Sequence, residues 1–183
     1  MSKCCHTIVI NFRLSAFFVF IAFAISAGAA VGPWDADVSD FPRQAEETGD
    51  SARILRAVEA AGKGGVVWFP RGEYEIDAML VVSNQCSLWL HKSAHLKAVK
   101  AIPYVLKYYG RELENNGNVG GCVDHNLFIK GGDIDGMGLA NCAQVMGLRH
   151  FTLADTTYRN GRKVGLQLGD PSLSRSIEGG YEI

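Results

Sequence analysis

Beyond Gly65 the chain is a succession of short apolar runs separated by turn residues, and the runs favour the β-branched and aromatic side chains that suit a half-buried pleated surface. Val66 to Phe69, Tyr74 to Val82, Ser87 to Leu90, Leu96 to Val99, Leu127 to Ile134 and Phe151 to Tyr158 read as strands. Between the first two, Pro70 cannot donate to a ladder and Gly72 frees the backbone, so the chain bends and restarts at Tyr74. Upstream, Ile54, Leu55, Val58 and Ala61 recur at helical spacing. Asp50 stands as an N-cap candidate and Gly62 closes the pattern, which predicts a helix over 51–61. Three turns are too few to be stable alone, so this helix must lay its apolar face on the sheet that begins at Val66. Residues 31–48, with Pro33 and Pro42, read as an irregular lead-in arm.

The strands repeat. Leu127, Ile129 and Ile134 superpose on Phe151, Leu153 and Tyr158 at a constant offset of 24 residues, and Gly136 falls on Asn160. Leu88, Leu90 and Leu96 form a fainter earlier copy, set apart by about 20 residues, 102–122, that read as an insertion. Units of this size cannot bury their own apolar face and must stack on one another. The expected fold is therefore all-β: a right-handed parallel β-helix with a short N-terminal capping α-helix. An antiparallel sandwich is the alternative, kept in play by Asn116-Gly117 and Asn160-Gly161, which suit two-residue hairpins.

The first residues stand apart from this pattern. Lys3, His6 and Arg13 precede an apolar run from Leu14 to Ile25 and the small-residue tract Ser26-Ala27-Gly28-Ala29-Ala30. That is the layout of a secretory signal peptide with an A-x-A site, and an uncleaved anchor is the alternative. The organisation expected is a signal peptide over 1–29, arm and capping helix over 30–65, and the first coils over 66–183. An exported protein, secreted or periplasmic and off the membrane after cleavage, follows from the leader. A net charge of −1 and the lack of a basic stripe argue against nucleic acid, with Lys92, Lys97, Lys100 and Lys107 read as a solvated edge. Three cysteines remain after cleavage: Cys86, Cys122 and Cys142. A Cys122–Cys142 disulfide is a candidate in an oxidising compartment, with three buried thiols the alternative. No C-x-x-C or H-x-x-x-H spacing supports zinc, and no cofactor is expected.

Three segments resemble the pectin-lyase-like β-helix superfamily, which includes the polygalacturonases and pectate lyases. They are Asp40-Phe41 with Gly49-Asp50-Ser51-Ala52-Arg53-Ile54-Leu55-Arg56-Ala57-Val58, then Val66-Val67-Trp68-Phe69-Pro70-Arg71-Gly72-Glu73-Tyr74-Glu75-Ile76, then Ile129-Lys130-Gly131-Gly132-Asp133-Ile134-Asp135-Gly136-Met137-Gly138. They are similar to the family's lead-in and cap helix, its first-coil signature and its Gly-x-Ile-Asp-Gly-x-Gly coil. The resemblance implies a hydrolase or lyase acting on acidic, pectin-like polysaccharide. The polygalacturonase branch carries its acid and base in Asn-x-Asp, Asp-Asp, Gly-His-Gly and Arg-x-Lys elements, none of which is found here, so no catalytic residue is assigned. The pattern stops at Ile183 without a cap, and an N-terminal portion of a longer protein is expected. A non-catalytic carbohydrate-binding or cell-surface module is the alternative function.

Among side chains able to do chemistry, Asp133 and Asp135 share one face of a strand, as a glycosidase carboxylate pair would, although Asp135-Gly136 is also a turn signal. Asp124 with His125, and His91, His95 and His150, are isolated acid–base candidates, with His125 and His150 expected at similar positions in successive coils. Asp133, Asp135 and Asp155 are the one trio that would suit calcium. Tyr104, Tyr108 and Tyr109, in the presumed insertion, would either stack on sugar rings or pack against the coil flank.

Overall fold

The computed structural model describes residues 32–82, 86–109, 123–124 and 126–169, all within a compact unit that spans Gly32–Ile183. In chain order these form β1 (Ala36–Asp37), a 3-10 turn (Val38–Asp40) and the single helix α1 (Ser51–Ala61). A first round follows: β2 (Val66–Phe69), β3 (Gly72–Ile76) and β4 (Leu80–Val82). The second is β5 (Ser87–Leu90), β6 (Ala94–Ala98) and β7 (Tyr104–Tyr109). After the short β8 (Val123–Asp124) comes the third, β9 (Phe128–Lys130), β10 (Asp133–Asp135) and β11 (Asn141–Met146). β12 (Leu148–Arg149) then leads to the fourth, β13 (Thr152–Ala154), β14 (Thr157–Arg159) and β15 (Leu166–Leu168).

Every described strand pairing is parallel, so the antiparallel sandwich is excluded. Sheet A runs β1-β2-β5-β9-β13, sheet B β3-β6-β10-β14 and sheet C β4-β7-β11-β15, while β8 and β12 pair separately. Each round thus gives one strand to each sheet, in the same cyclic order. Among the described residues the fold is all-β apart from α1 and the 3-10 turn.

Alternation sorts the side chains. Val67, Leu88, Ile129 and Leu153 stack in sheet A, Tyr74, Leu96, Ile134 and Tyr158 in sheet B, and Leu80, Leu106, Ala143 and Leu166 in sheet C. These belong to one hydrophobic cluster, most members of which are fully buried. The 24-residue offset holds as register: Ile129 opposes Leu153 and Ile134 opposes Tyr158. The earlier copy needs correcting, because Ile129 opposes Leu88, two residues from the Leu90 that the repeat pattern placed there, while Leu96 opposes Ile134 as expected. A two-residue slip keeps every inward side chain inward, so the hydrophobic pattern alone cannot detect it.

The runs read as single long strands break at corners: Tyr74 to Val82 at Asp77-Ala78-Met79, Leu127 to Ile134 at Gly131-Gly132, and Phe151 to Tyr158 at Asp155-Thr156. At Gly131, φ is 78° and an added Cβ would fall 2.2 Å from the Leu90 carbonyl oxygen, so this corner admits no side chain. Of the strands that the pattern missed, two are long. β7 occupies the start of the presumed insertion, and β11 has Asn141 through Val145 all buried, which erases the alternation that announces a strand.

Helix α1 has the expected bounds, with Ile54, Ala57 and Val58 buried toward β1, β2 and β4. Asp50 stands at its N-cap but makes no capping bond; its backbone is helical (φ −95°, ψ −7°) and its carboxylate is used elsewhere. It accepts from Arg43 Nε and Nη2 at 2.7 Å each, from Arg53 Nε at 2.5 Å and from the Glu75 amide at 2.6 Å, and it is 1% exposed. Ser51 Oγ adds bonds from the Asp77 and Ala78 amides. Arm, helix and the end of β3 are thereby tied at one point. The arm is not wholly irregular either, since β1 joins sheet A beside β2.

Burial pushes the Asp50 carboxyl up, but Arg43, the Glu75 amide and Arg53 more than offset it, leaving it below the ordinary carboxylate range. A depressed folded-state pKa contributes stability above the unfolded value of about 3.9, and that contribution is lost as pH falls through the folded value. Asp50→Asn is therefore expected to cost about 3 kcal/mol at pH 7, with the gap to wild type closing as pH drops below about 4. Urea melts across pH 7 to 3 check this, and a gap that stays constant would contradict it.

Candidate functional site

With the inward rows committed to the core, any chemistry falls on the outward rows. Sheet B presents two, in register across β3, β6, β10 and β14: Glu73, His95, Asp133, Thr157 and Glu75, Lys97, Asp135, Arg159. Lys97 Nζ lies 2.6 Å from Glu73, and Arg43 joins Glu75 to Asp50. The result is a ladder of alternating charge across strands, favourable at the cross-strand spacing of a sheet.

Asp133 and Asp135 share this face, as expected from their spacing, and both are buried, 6% and 2% exposed. Arg159 holds Asp133 from Nε at 2.8 Å and Nη2 at 2.6 Å, with His95 Nδ1 at 3.1 Å on the other side. In return the carboxylate raises the Arg159 pKa above its ordinary value. Asp135 accepts from the Met137 amide at 2.8 Å and from Asn160 Nδ2 at 3.0 and 3.1 Å, with Arg159 Nε at 3.3 Å. All four oxygens are engaged by protein donors, which is how a turn is fixed and how a charge is kept buried. Gly136 completes that turn; a Cβ there would lie 2.2 Å from the Ala140 oxygen and 2.8 Å from that of Asn160.

The remaining candidates separate. His95 is not isolated, because parallel pairing brings it beside Asp133 across 38 residues of chain. His91 accepts from the Ser93 amide through Nδ1 and meets Trp68 edge-on. His150 is exposed, while His125 and the side chain of Asp124 lie outside the described residues. Asp155 sits at the corner between β13 and β14 and does not join Asp133 and Asp135; among the described residues no three His, Cys, Asp or Glu side chains converge as metal ligands. Tyr108 is fully buried against Phe151 at 5.1 Å, a core residue and not a stacking platform. Tyr104 donates to Gln167 Oε1, and the side chain of Tyr109 is not described. Cys142 is a free, buried thiol donating to the Arg159 oxygen at 3.0 Å; Cys122, its candidate partner, lies outside the described residues. Burial pushes the Cys86 thiol up to about 12, so this cysteine is inert. The four lysines do not form one edge, since Lys92 stands at a corner, Lys97 on sheet B, Lys100 beside Asp77 and Lys107 on sheet C.

Sheet C turns Val81, Lys107, Gln144 and Gln167 outward in one row, and Gln144 Oε1 is buried with no hydrogen-bond partner among the described residues. Sheet A turns out Asp37, Trp68, Trp89, Lys130 and Ala154. Trp34 stacks on Trp68 at 4.8 Å and 13°, and Trp89 stands at right angles to both, with centroids 6.4 Å from Trp34 and 5.6 Å from Trp68. Lys130 Nζ lies 5.5 Å from the Trp89 centroid. This aromatic corner went unread in the sequence, yet a signal was present: laying Val67 and Phe69 over Leu88 and Leu90 puts Trp68 on Trp89.

Fold and faces together define an all-β protein with three larger parallel sheets that carry outward rows of charge, amides and indoles. No family model matches the chain, and no curated protein does. Among solved structures it is similar to ORF18 of Geobacillus virus E2, with 18% identity and a TM-score of 0.58 over 77% of this chain and 31% of that one. It is also similar to PfbA, a surface adhesin of Streptococcus pneumoniae, with 19% identity and a TM-score of 0.49 over 66% of this chain and 32% of that one. The chain therefore spans about a third of the length of either. The first likeness is one of fold.

If the sheet B carboxylates serve structure, Asp133→Asn leaves Arg159 and His95 facing a neutral amide and is expected to cost about 2 kcal/mol. Asp133→Ala combined with Arg159→Ala is expected to cost less than the two single changes added together. Thermal and urea melts of the four variants measure both, and a raised melting midpoint for Asp133→Asn would contradict the structural role.

Proposed function

We propose that the three sheets are the faces of a right-handed parallel β-helix of the pectin-lyase-like type, capped by α1, and that the protein is an exported one acting on acidic, pectin-like polysaccharide. The cyclic use of the sheets and the resemblance of the cap, first-coil and Gly-Gly-Asp-Ile-Asp-Gly segments support the fold. The leader layout of residues 1–29, outside the described residues, supports export. Since fold leaves chemistry open, the function is carried by one observation. Outward side chains stack in rows, one residue per round, at the strand spacing of a sheet. A linear polymer with a regular repeat meets such rows in the same way at each step. Lys107, Gln144 and Gln167 on sheet C, with Tyr104 beside them, are of the types that bond carboxylates and hydroxyls.

A second reading, a non-catalytic binding module, is favoured by the full engagement of Asp133 and Asp135, which leaves neither free as acid or base. Polygalacturonate separates the readings. Retention of the protein in affinity electrophoresis on polygalacturonate, with reducing ends or unsaturated product released, is expected for the enzyme; retention without release is expected for the module. Equal mobility with and without the polymer would overturn both.

A further inference from the structure

We propose that the outer face of sheet A, at the ends of β2, β5 and β9, binds an anionic glycan strand through an aromatic corner flanked by a column of basic residues; this rests on the polysaccharide reading above. The aromatic part consists of Trp68 and Trp89, adjacent in register, with Trp34 stacked on the first and the His91 ring 6.2 Å from it. All three indoles are half-buried, so each keeps surface toward solvent. Trp34 and Trp68 lie nearly parallel and Trp89 packs edge-on at 90° and 87° to them, so the cluster presents indole surfaces in two orientations. The C–H face of a pyranose ring packs on such a surface, and the weakly polar indole edge meets its hydroxyls.

The charge is what selects the occupant. Arg71 follows β2 and Lys92 follows β5, beside the corner between sheets A and B, and Lys130 ends β9 in the outward row of Trp68 and Trp89, so successive rounds supply one cation each to this side. Arg71 and Lys92 are exposed, and among the described residues neither side chain has an ion pair or hydrogen bond. Lys130 rests over Trp89 and likewise has no carboxylate partner there. Of the carboxylates on this side, Asp37 accepts from the Ser39 amide and hydroxyl and Asp35 from the Val66 amide, while Asp155 stands at the same corner one round beyond Lys130. His91 uses Nδ1 as acceptor, which leaves Nε2 as the ring's donor. Unpaired cations on a protein whose net charge is −1, spaced by one round and set beside indoles, complement a polymer that repeats both a carboxylate and a ring. Uronate-containing glycan has that chemistry.

The chain's three tryptophans all stand in this corner, so its intrinsic fluorescence reports on this face alone. The full chain titrated with oligogalacturonate is expected to show saturable change in tryptophan emission, weakened by salt and by replacing the ligand with a neutral galactan oligomer of equal length. Trp89→Ala, and separately Lys92→Gln with Lys130→Gln, are expected to weaken binding about tenfold or more. Lys97→Gln on sheet B is expected to leave it unchanged. Trp89→Phe, which keeps an aromatic wall, should recover most of the affinity and guards against a folding defect in Trp89→Ala. Binding seen by calorimetry with unchanged emission, or undiminished in the lysine variant, would overturn this site while leaving the polysaccharide reading intact. Equal affinity for the neutral oligomer would overturn the choice of an anionic glycan. Absence of any binding to either oligomer would instead sink the polysaccharide reading, and this site with it.

Discussion

Parallel register is the constraint on which everything else in this molecule depends. No round of three short strands can bury its own apolar face, so each is stable only when its inward residues lie against those of the next. Ile129 must meet Leu88 on one side and Leu153 on the other, and Ile134 must meet Leu96 and Tyr158. A slip of one residue would turn Ile134 outward and bring Asp133 or Asp135 into the core, at the cost of a buried, unpaired charge. The corners enforce the same register by other means. At Gly131 the backbone passes so close to Leu90 that nothing larger than hydrogen fits. At Asp50, arm, helix and β3 converge on a single carboxylate.

The same physics explains what was legible in the sequence. Alternating runs such as Val66 to Phe69 declare themselves, and so does a helix whose Ile54 and Val58 fall on one face. The offset between Ile129 and Leu153 was readable because both rounds turn their corner with two residues. β11 was invisible for the opposite reason: with Asn141 to Val145 buried on both sides, hydrophobicity no longer alternates. β7 was lost because residues 110–122 separate it in sequence from β8, so no copy lay at the expected distance.

Sites are harder to read than strands, because they depend on pairings between rounds. Asp133 and Asp135 were found as a pair, but their meaning lay in Arg159, Asn160 and His95, which only register brings alongside. A carboxylate meant for proton transfer keeps a path to solvent or substrate. These two instead have every oxygen committed, one to a guanidinium and an imidazole, the other to a turn amide and an asparagine. Asp50 follows the same rule: read as a cap from its position, it proves to be the anion around which two arginines and an amide assemble.

Inward and outward rows therefore obey different selection. An inward position is fixed in size and polarity by two neighbours in adjacent rounds, whereas an outward position meets solvent and can carry any residue compatible with a strand. Indoles are poor choices for such exposed positions unless something covers them or uses them. Sheet A spends Trp68 and Trp89 on adjacent outward positions and recruits Trp34 from the segment before β1, and among the described residues Arg71 and Lys92 alongside have no ion pair. Sheet B, with no less exposure, pairs its charges internally through Lys97, Arg159 and His95. Two faces built from the same rounds thus differ in one respect: the charges of sheet B pair with one another, and among the described residues Arg71 and Lys92 beside the indoles of sheet A do not.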